Sequence, residues 1–286
     1  MTAPRTNGRY ALPRPFLKWV GGKTQLLPEL MKRVNMVGDF GRYHEPFLGG
    51  GALFFELYRA GRLKRQAYLS DNNPRLIEAY EGVRDHVEEV IDLLNRHKRL
   101  HSEEHFYRVR AKVPKTLAER AARVIYLNKT CYNGLYRENS RGEFNSPFGR
   151  YKNPVVCDED NLHAASKALQ KAKIESRHFQ TVADHADKND LVYFDPPYHP
   201  VSETASFQGY HKGAFGEDSQ RLLAEVYAKL AAKGVHVLLS NSMTDLVRAL
   251  YKGFTLDSVQ ASRAVNSRAD RRGKVSEALV RNFPES

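Results

Sequence analysis

Apolar positions along this 286-residue chain follow two regimes. In the flanking parts, short apolar runs of strand length alternate with stretches of helical spacing; across 83–173 that alternation stops. Leu26, Leu27, Leu30 and Met31 recur at helical intervals. Tyr43-His44-Glu45-Pro46-Phe47 then reads as a strand end, Leu48-Gly49-Gly50-Gly51 as a turn, and 52–58 as a helix. Ala67-Tyr68-Leu69-Ser70 predicts a second strand with Asp71 at its carboxyl end, before Asn72-Asn73-Pro74 opens a further helix. Strand, glycine turn, helix, strand and acid together make a βαβ unit. Strand signals return at 177–180, in Leu191-Val192-Tyr193-Phe194 and at 235–239. Between the last two, 220–232 predicts an amphipathic helix with Leu222, Leu223, Val226 and Leu230 on one face. A final antiparallel pair is expected from 254–259 and 278–282.

The pattern predicts an α/β fold with a Rossmann-like sheet, mostly parallel and closed by antiparallel strands at its C-terminal end. Its expected domain comprises 15–82 and 174–286, with 1–14 a flexible leader. Within 83–173 the spacing is mainly helical, as in Val87, Val90, Ile91 and Leu94. The centre, 128–151, is instead rich in Asn, Gly, Arg and aromatic residues, and reads as a long loop or hairpin inside an inserted domain. No internal repeat is visible.

Hydrophobic residues make up 41% of the chain, ample for a core, and no run approaches bilayer-spanning length. No apolar stretch of signal-peptide type stands in 1–14, so a cytoplasmic protein is expected. The two cysteines, Cys131 and Cys157, lie among polar neighbours outside any Cys-x-x-Cys pair, which predicts neither a zinc site nor a disulfide. Lys and Arg number 45 against 33 Asp and Glu, a net charge of +12. That balance suits a polyanionic partner, because neutralising phosphates releases condensed counterions, and equally suits a generally basic soluble protein.

Asp195-Pro196-Pro197-Tyr198, ending an apolar strand, carries the most specific chemistry. A carboxylate and the carbonyl of the first proline can each accept a hydrogen from an amino group, and the tyrosine can stack on the planar ring that bears it. Gly22-Lys23-Thr24 invites a phosphate-loop reading, but that motif needs a glycine at position 17, which is Leu. The glycine turn before 52–58 is a better ligand loop, since small residues and a helix N-terminus let a ligand approach the backbone. Asp71, about twenty residues on, can hold two ribose hydroxyls or cap the following helix.

Asp-Pro-Pro-Tyr downstream of Glu-Pro-Phe-x-Gly-x-Gly, with Phe16-Leu17-Lys18-Trp19-x-Gly21-Gly22-Lys23 ahead of both, resembles the Dam-type DNA adenine-N6 methyltransferases of the alpha group. The likeness continues through Asn128-Lys129-Thr130-Cys131-Tyr132-Asn133-Gly134-Leu135-Tyr136-Arg137 and from Arg141 to Tyr151, spanning about 15–282. It implies S-adenosyl-L-methionine as methyl donor and no metal. Trp19 and Lys23 would help close the donor pocket, Phe47, Gly49 and Gly51 would bend around its amino-acid end, and Asp71 would take the ribose. Asp184, or Phe179 beside it, would lie near the donor's adenine, and Asp195 would border donor and target.

The same resemblance makes Asp195, Pro196, Pro197 and Tyr198 the catalytic residues and 83–173 the target-recognition domain. The target adenine must leave the stack to be reached, and 199–215, with Phe207, Tyr210 and nearby Gly216, has the composition of a closing lid. The implied partner is double-stranded DNA at GATC sites, met by a monomer. Arg137, Leu135 and Pro147 match the positions that read the target, Lys18 a lysine on the first guanine, and Tyr132 and Asn133 residues that probe the vacated gap. Tyr136 and Glu138 depart from the pattern around Arg137, and an acid there could reorient the arginine. An RNA base-amine methyltransferase and a non-catalytic DNA-binding relative are the alternatives; the long insert favours DNA, and the intact motifs favour an enzyme.

Overall fold

A computed structural model of the chain describes residues 11–19, 21–139, 141–200, 215–262 and 274–284. The chain divides into two compact units: Met1–Gly22, Gly49–Arg62 and Asn73–Ser176 form the first, and Lys23–Leu48, Leu63–Asn72 and Arg177–Ser286 the second.

The second unit carries six strands: β1 (Tyr43–Glu45), β2 (Ala67–Asp71), β4 (Leu191–Phe194), β5 (His236–Ser242), β6 (Thr255–Ser262) and β7 (Lys274–Arg281). They run in the order β2-β1-β4-β5-β7-β6. The first four are parallel, with Glu45 opposite Leu69, His44 opposite Val192 and Phe194 opposite Leu239. β7 is antiparallel to both β5 and β6, as the C-terminal apolar pattern predicts. All four residues of β4 are buried, which is why its sequence is continuously apolar rather than alternating. Helices α1 (Leu27–Val37), α8 (Val182–His185), α9 (Glu217–Ala232) and α10 (Asp245–Leu250) complete the unit. The buried stripe of α9, Leu223, Val226, Tyr227 and Leu230, joins Phe194 and Leu239 in one core. The chain runs one way from β1 to β2 and resumes on the other side at β4. The sheet therefore has a topological switch point between β1 and β4, where open α/β folds bind ligands.

The first unit is mainly helical: α2 (Ala52–Arg59), α3 (Pro74–Asp85), α4 (Val87–Arg99), α5 (Glu103–Ala111), α6 (Leu117–Thr130), α7 (Glu159–Leu169) and the strand β3 (Ala172–Ser176). At the start of α3 the Asn73 side chain accepts the N–H groups of Arg75 and Leu76, at 3.0 and 3.2 Å. Asn73, not Asp71, is therefore the cap. Thr116 and Glu119 form a reciprocal capping box on α6. A Cβ on Gly82 would stand 2.5 Å from that of Ala121, so α3 can lie against α6 only with glycine there. This packing draws α3 into the compact unit, which is wider than the 83–173 insert expected from sequence.

Two expectations are corrected. The strand read at 177–180 lies earlier, at Ala172–Ser176, where Ala172 and Ile174 alternate inward; Phe179–Thr181 is a 3-10 turn. Cys131 is buried, not in polar surroundings, and its thiol donates weakly to the Asn128 and Leu135 carbonyls at 3.6 Å each. Phe207, Tyr210 and residues 1–10 of the expected leader lie outside the described residues.

Candidate functional site

Because β2, β1, β4 and β5 are parallel, their carboxyl ends share one edge of the sheet, and Asp71, Phe47 and Asp195 all lie there. Asp195 is held on one oxygen. Its Oδ1 takes the Lys23 ammonium at 2.8 Å and the Ser240 hydroxyl at 2.9 Å. Ser240 in turn meets the Tyr193 hydroxyl at 2.9 Å. Burial pushes the Asp195 carboxyl above the usual carboxylate range, while Lys23 and then Ser240 pull it back. The Lys23 ammonium also lies 4.4 Å from the centre of the Tyr198 ring. The Tyr198 hydroxyl donates to Glu277 Oε2 at 2.8 Å, and burial raises that phenol well above its ordinary value. The motif is thus braced from three elements: α1's approach (Lys23), β5 (Ser240) and β7 (Glu277).

Pro196 and Pro197 have no N–H, so these two residues offer no backbone donor to anchor the segment. Gln220 Nε2 donates to the Pro197 carbonyl at 3.0 Å, and Asn241 Oδ1 accepts the His199 N–H at 3.0 Å. At the neighbouring strand ends the Leu48 N–H reaches the Ser70 carbonyl at 3.0 Å. Phe47 stacks on Phe179 with ring centres 5.2 Å apart, and Phe194 and Phe215 pack edge-on against it. Phe179 is thereby a neighbour of Phe47. Asp184 is exposed on α8, and its partner is Lys229, 3.7 Å away on α9.

In the first unit, Gly49 and Gly51 adopt φ of +46° and +63°, the left-handed region where a side chain is strained. A Cβ on Gly49 would also meet Trp19 Cδ1 at 2.9 Å. The Gly49 carbonyl accepts from the Tyr80 hydroxyl at 3.0 Å, which fixes the turn just before α2. Trp19 stacks on Tyr136 with ring centres 5.3 Å apart.

The loop after α6 takes the hairpin form, one of the two read from its composition, with antiparallel bridges Cys131–Phe148 and Glu138–Phe144. Tyr132 and Asn133 are exposed at its shoulder, Asn133 at a φ of +56°. Arg137 and Pro147 are exposed and Leu135 half-buried. Glu138 does not turn toward Arg137. Its Oε1 accepts from the Tyr136 hydroxyl at 2.7 Å and pairs with Arg75 at 3.0 Å. Asn128, fully buried in α6, grips Lys18 in both directions: its Oδ1 accepts the Lys18 N–H and its amide donates to the Lys18 carbonyl, each at 2.7 Å. The Lys18 ammonium stands 5.5 Å from the Tyr151 ring centre. Lys18 and the hairpin thus form one connected surface.

Over residues 19–265 the chain matches the family described as D12 class N6 adenine-specific DNA methyltransferase. The chain belongs to this family. It is 41% identical over 290 residues to the type II methyltransferase M.MjaIII of Methanocaldococcus jannaschii, covering 94% of this chain and 99% of the relative. It is 40% identical over 278 residues to the type II methyltransferase M1.LlaDCHI of Lactococcus lactis subsp. cremoris, covering 94% and 95%. With the DNA adenine methylase of Escherichia coli K12 it shares 36% over 271 residues, covering 93% and 94%. The resemblance carried by the motifs is confirmed, and the RNA reading gives way to DNA as substrate.

Membership of a D12-class methyltransferase implies S-adenosylmethionine as donor. The residues fit it. In the second unit an acid and a stacked aromatic pair stand at the carboxyl edge of the sheet, beside its switch point. Among the described residues no group of three or more His, Cys, Asp or Glu could hold a metal ion, and no helix is long and apolar enough to cross a membrane. Sequence reasoning missed Ser240, Asn241, Gln220, Glu277 and Asn128. One signal was available for β5: Ser240-Asn241-Ser242 are polar residues ending an otherwise apolar strand, all buried, and buried polar residues need partners.

Proposed function

We propose that this D12-class methyltransferase methylates N6 of adenine within GATC in double-stranded DNA, acting on an adenine rotated out of the helix. The observation that carries the catalytic part is the bracing of Asp195 through Oδ1 by Lys23 and Ser240. Both contacts use one oxygen, so Oδ2 is the one offered to the target amine. Adenine's N6 lone pair is delocalised into the ring, which makes it a poor nucleophile. Asp195 and the Pro196 carbonyl would each accept one N6 hydrogen, freeing the lone pair, while Pro197 stiffens the turn and Tyr198 stacks on the base. S-adenosylmethionine, when bound, supplies a methyl group made electrophilic by its sulfonium.

Asp71 would hold the donor's ribose hydroxyls, and Phe47 with Phe179 its adenine. Trp19 carries the pocket-closing role and Gly49 and Gly51 the amino-acid-end role that the resemblance implies, and Lys23 is assigned to Asp195 as well as to the donor pocket. Asp184, engaged with Lys229, is the weakest of the assigned donor contacts. For recognition, Arg137 would bond a guanine with Leu135 and Pro147 beside it, Lys18 the first guanine, and Tyr132 and Asn133 the vacated gap. Residues 83–173 would be the target-recognition domain. The protein would act as a cytoplasmic monomer.

Methylation-sensitive digestion of DNA from cells expressing the chain tests this, with nucleases that separate GATC from its N6-methyl form. Protection is expected for the parent and lost for Asp195→Ala, which should still bind the donor. Asp71→Ala should first weaken the donor. Protection persisting in Asp195→Ala would overturn the catalytic assignment.

A further inference from the structure

We propose that Gln220 and Asn241 are positioning residues that select which backbone carbonyl of the catalytic segment is presented to the target amine. The inference rests on the reading that Asp195 and Pro196 hold that amine. Both amides are completely buried, where an unpaired polar group is costly and a paired one defines a unique geometry. Two backbone N–H groups, of His199 at 3.0 Å and Ser242 at 2.8 Å, converge on one atom of the Asn241 amide. That atom must be the oxygen, since an amide nitrogen cannot accept. The Asn241 nitrogen is then directed at Gln220 Oε1, 2.9 Å away, which leaves the Gln220 nitrogen for the Pro197 carbonyl at 3.0 Å. Every orientation in the relay is forced by chemistry.

The consequence falls on two consecutive carbonyls. Gln220 captures that of Pro197, while among the described residues no donor reaches that of Pro196. With Pro197 tied back and the His199 N–H fixed two residues later, the peptide planes from Pro196 to His199 have one orientation. The anchors come from the first turn of α9 and from β5, both packed in the core. Neither side chain touches the amine in this scheme; each acts through the backbone it holds.

Single-turnover methyl transfer to a GATC duplex tests this, alongside separate equilibrium binding of S-adenosylmethionine and of the duplex. Gln220→Glu keeps the acceptor for Asn241 and loses the donor to Pro197. Gln220→Met loses both without adding charge. Each is expected to slow transfer by roughly tenfold to a hundredfold, the scale of an ångström-level misplacement, with both affinities held. Asn241→Asp, which keeps the acceptor for both backbone N–H groups, should lose less than Asn241→Leu. A merely structural role would instead lower the melting midpoint and leave the rate of the folded fraction intact. That result, or a loss confined to either affinity, overturns the proposal. If Gln220→Met does not fold, Gln220→Glu and Asn241→Asp decide it. Asp195→Asn in the same assay separates the two readings: normal turnover there means the motif assignment has failed, whatever Gln220 does.

Discussion

In the proposed role Asp195 accepts a hydrogen from the amine most strongly as a carboxylate, and burial raises its pKa while Lys23 opposes that rise. The sign follows directly. As pH falls, this carboxyl takes up its proton at a higher pH than an ordinary carboxylate, so the acidic limb of the single-turnover rate is expected above the usual carboxylate range. Lys23→Met removes the group pulling the pKa down, and the limb should move further up. A pH–rate profile of the two proteins checks it; coincident limbs would show that Lys23 does not tune Asp195. Under the proposed reading, Arg137 separates recognition from chemistry. A bidentate arginine–guanine contact contributes about 1–3 kcal/mol of discrimination, or roughly tenfold to a hundredfold and more. Arg137→Ala should therefore cut the preference for GATC over sites altered at one outer pair by that factor, with donor affinity unchanged. A uniform loss on all sites would mark Arg137 as a phosphate contact.

At the scale of elements, the cap on α3 offers a clean perturbation. Asn73→Ala leaves two N–H groups without their side-chain acceptor and is expected to cost about 0.5–2 kcal/mol, read from the shift in urea midpoint. The His97 cluster gives a second. His97 Nδ1 lies 2.9 Å from His105 Nε2, and burial with its cationic neighbours lowers His97 to about 4. The unfolded chain takes up that proton near its ordinary value, the folded chain only near 4, so stability present above the ordinary value is lost as pH falls through that window. The melting midpoint should drop across it, and His97→Gln should flatten the slope. Elements defined by local pattern were legible from sequence: Leu191–Phe194 is a strand with the bounds read from its apolar run, and the glycine turn opens α2 as expected. The bracing was not, because it depends on pairs distant in sequence. Glu277 reaches Tyr198 across a separation of 79 residues and Ser240 reaches Asp195 across 45. At 177–180 the aromatic Phe179 suggested a strand, but it is a turn residue buried by stacking on Phe47.

For the whole molecule, the net charge of +12 acquires meaning from the DNA substrate. Binding to non-cognate duplex is expected to weaken steeply with salt, by roughly a thousandfold between about 50 and 200 mM if some six phosphates are contacted. A fluorescence titration across that range measures the slope, and a flat response would leave the charge without its proposed partner. The pairing of β1 with β4 sets a different demand, one of time. The Arg42 N–H bonds Asp190 Oδ1 at 2.7 Å across 148 residues, and Tyr43 faces Leu191 in the ladder. During synthesis at roughly 5–20 residues per second, the three-residue β1 waits on the order of ten seconds or more for one of its two neighbours. Loop closure over that distance is entropically costly and slow. The nascent chain must therefore carry an unpaired central edge while the whole helical segment between β2 and β4 is made. Cells producing this enzyme at high temperature should need chaperones in proportion to that delay.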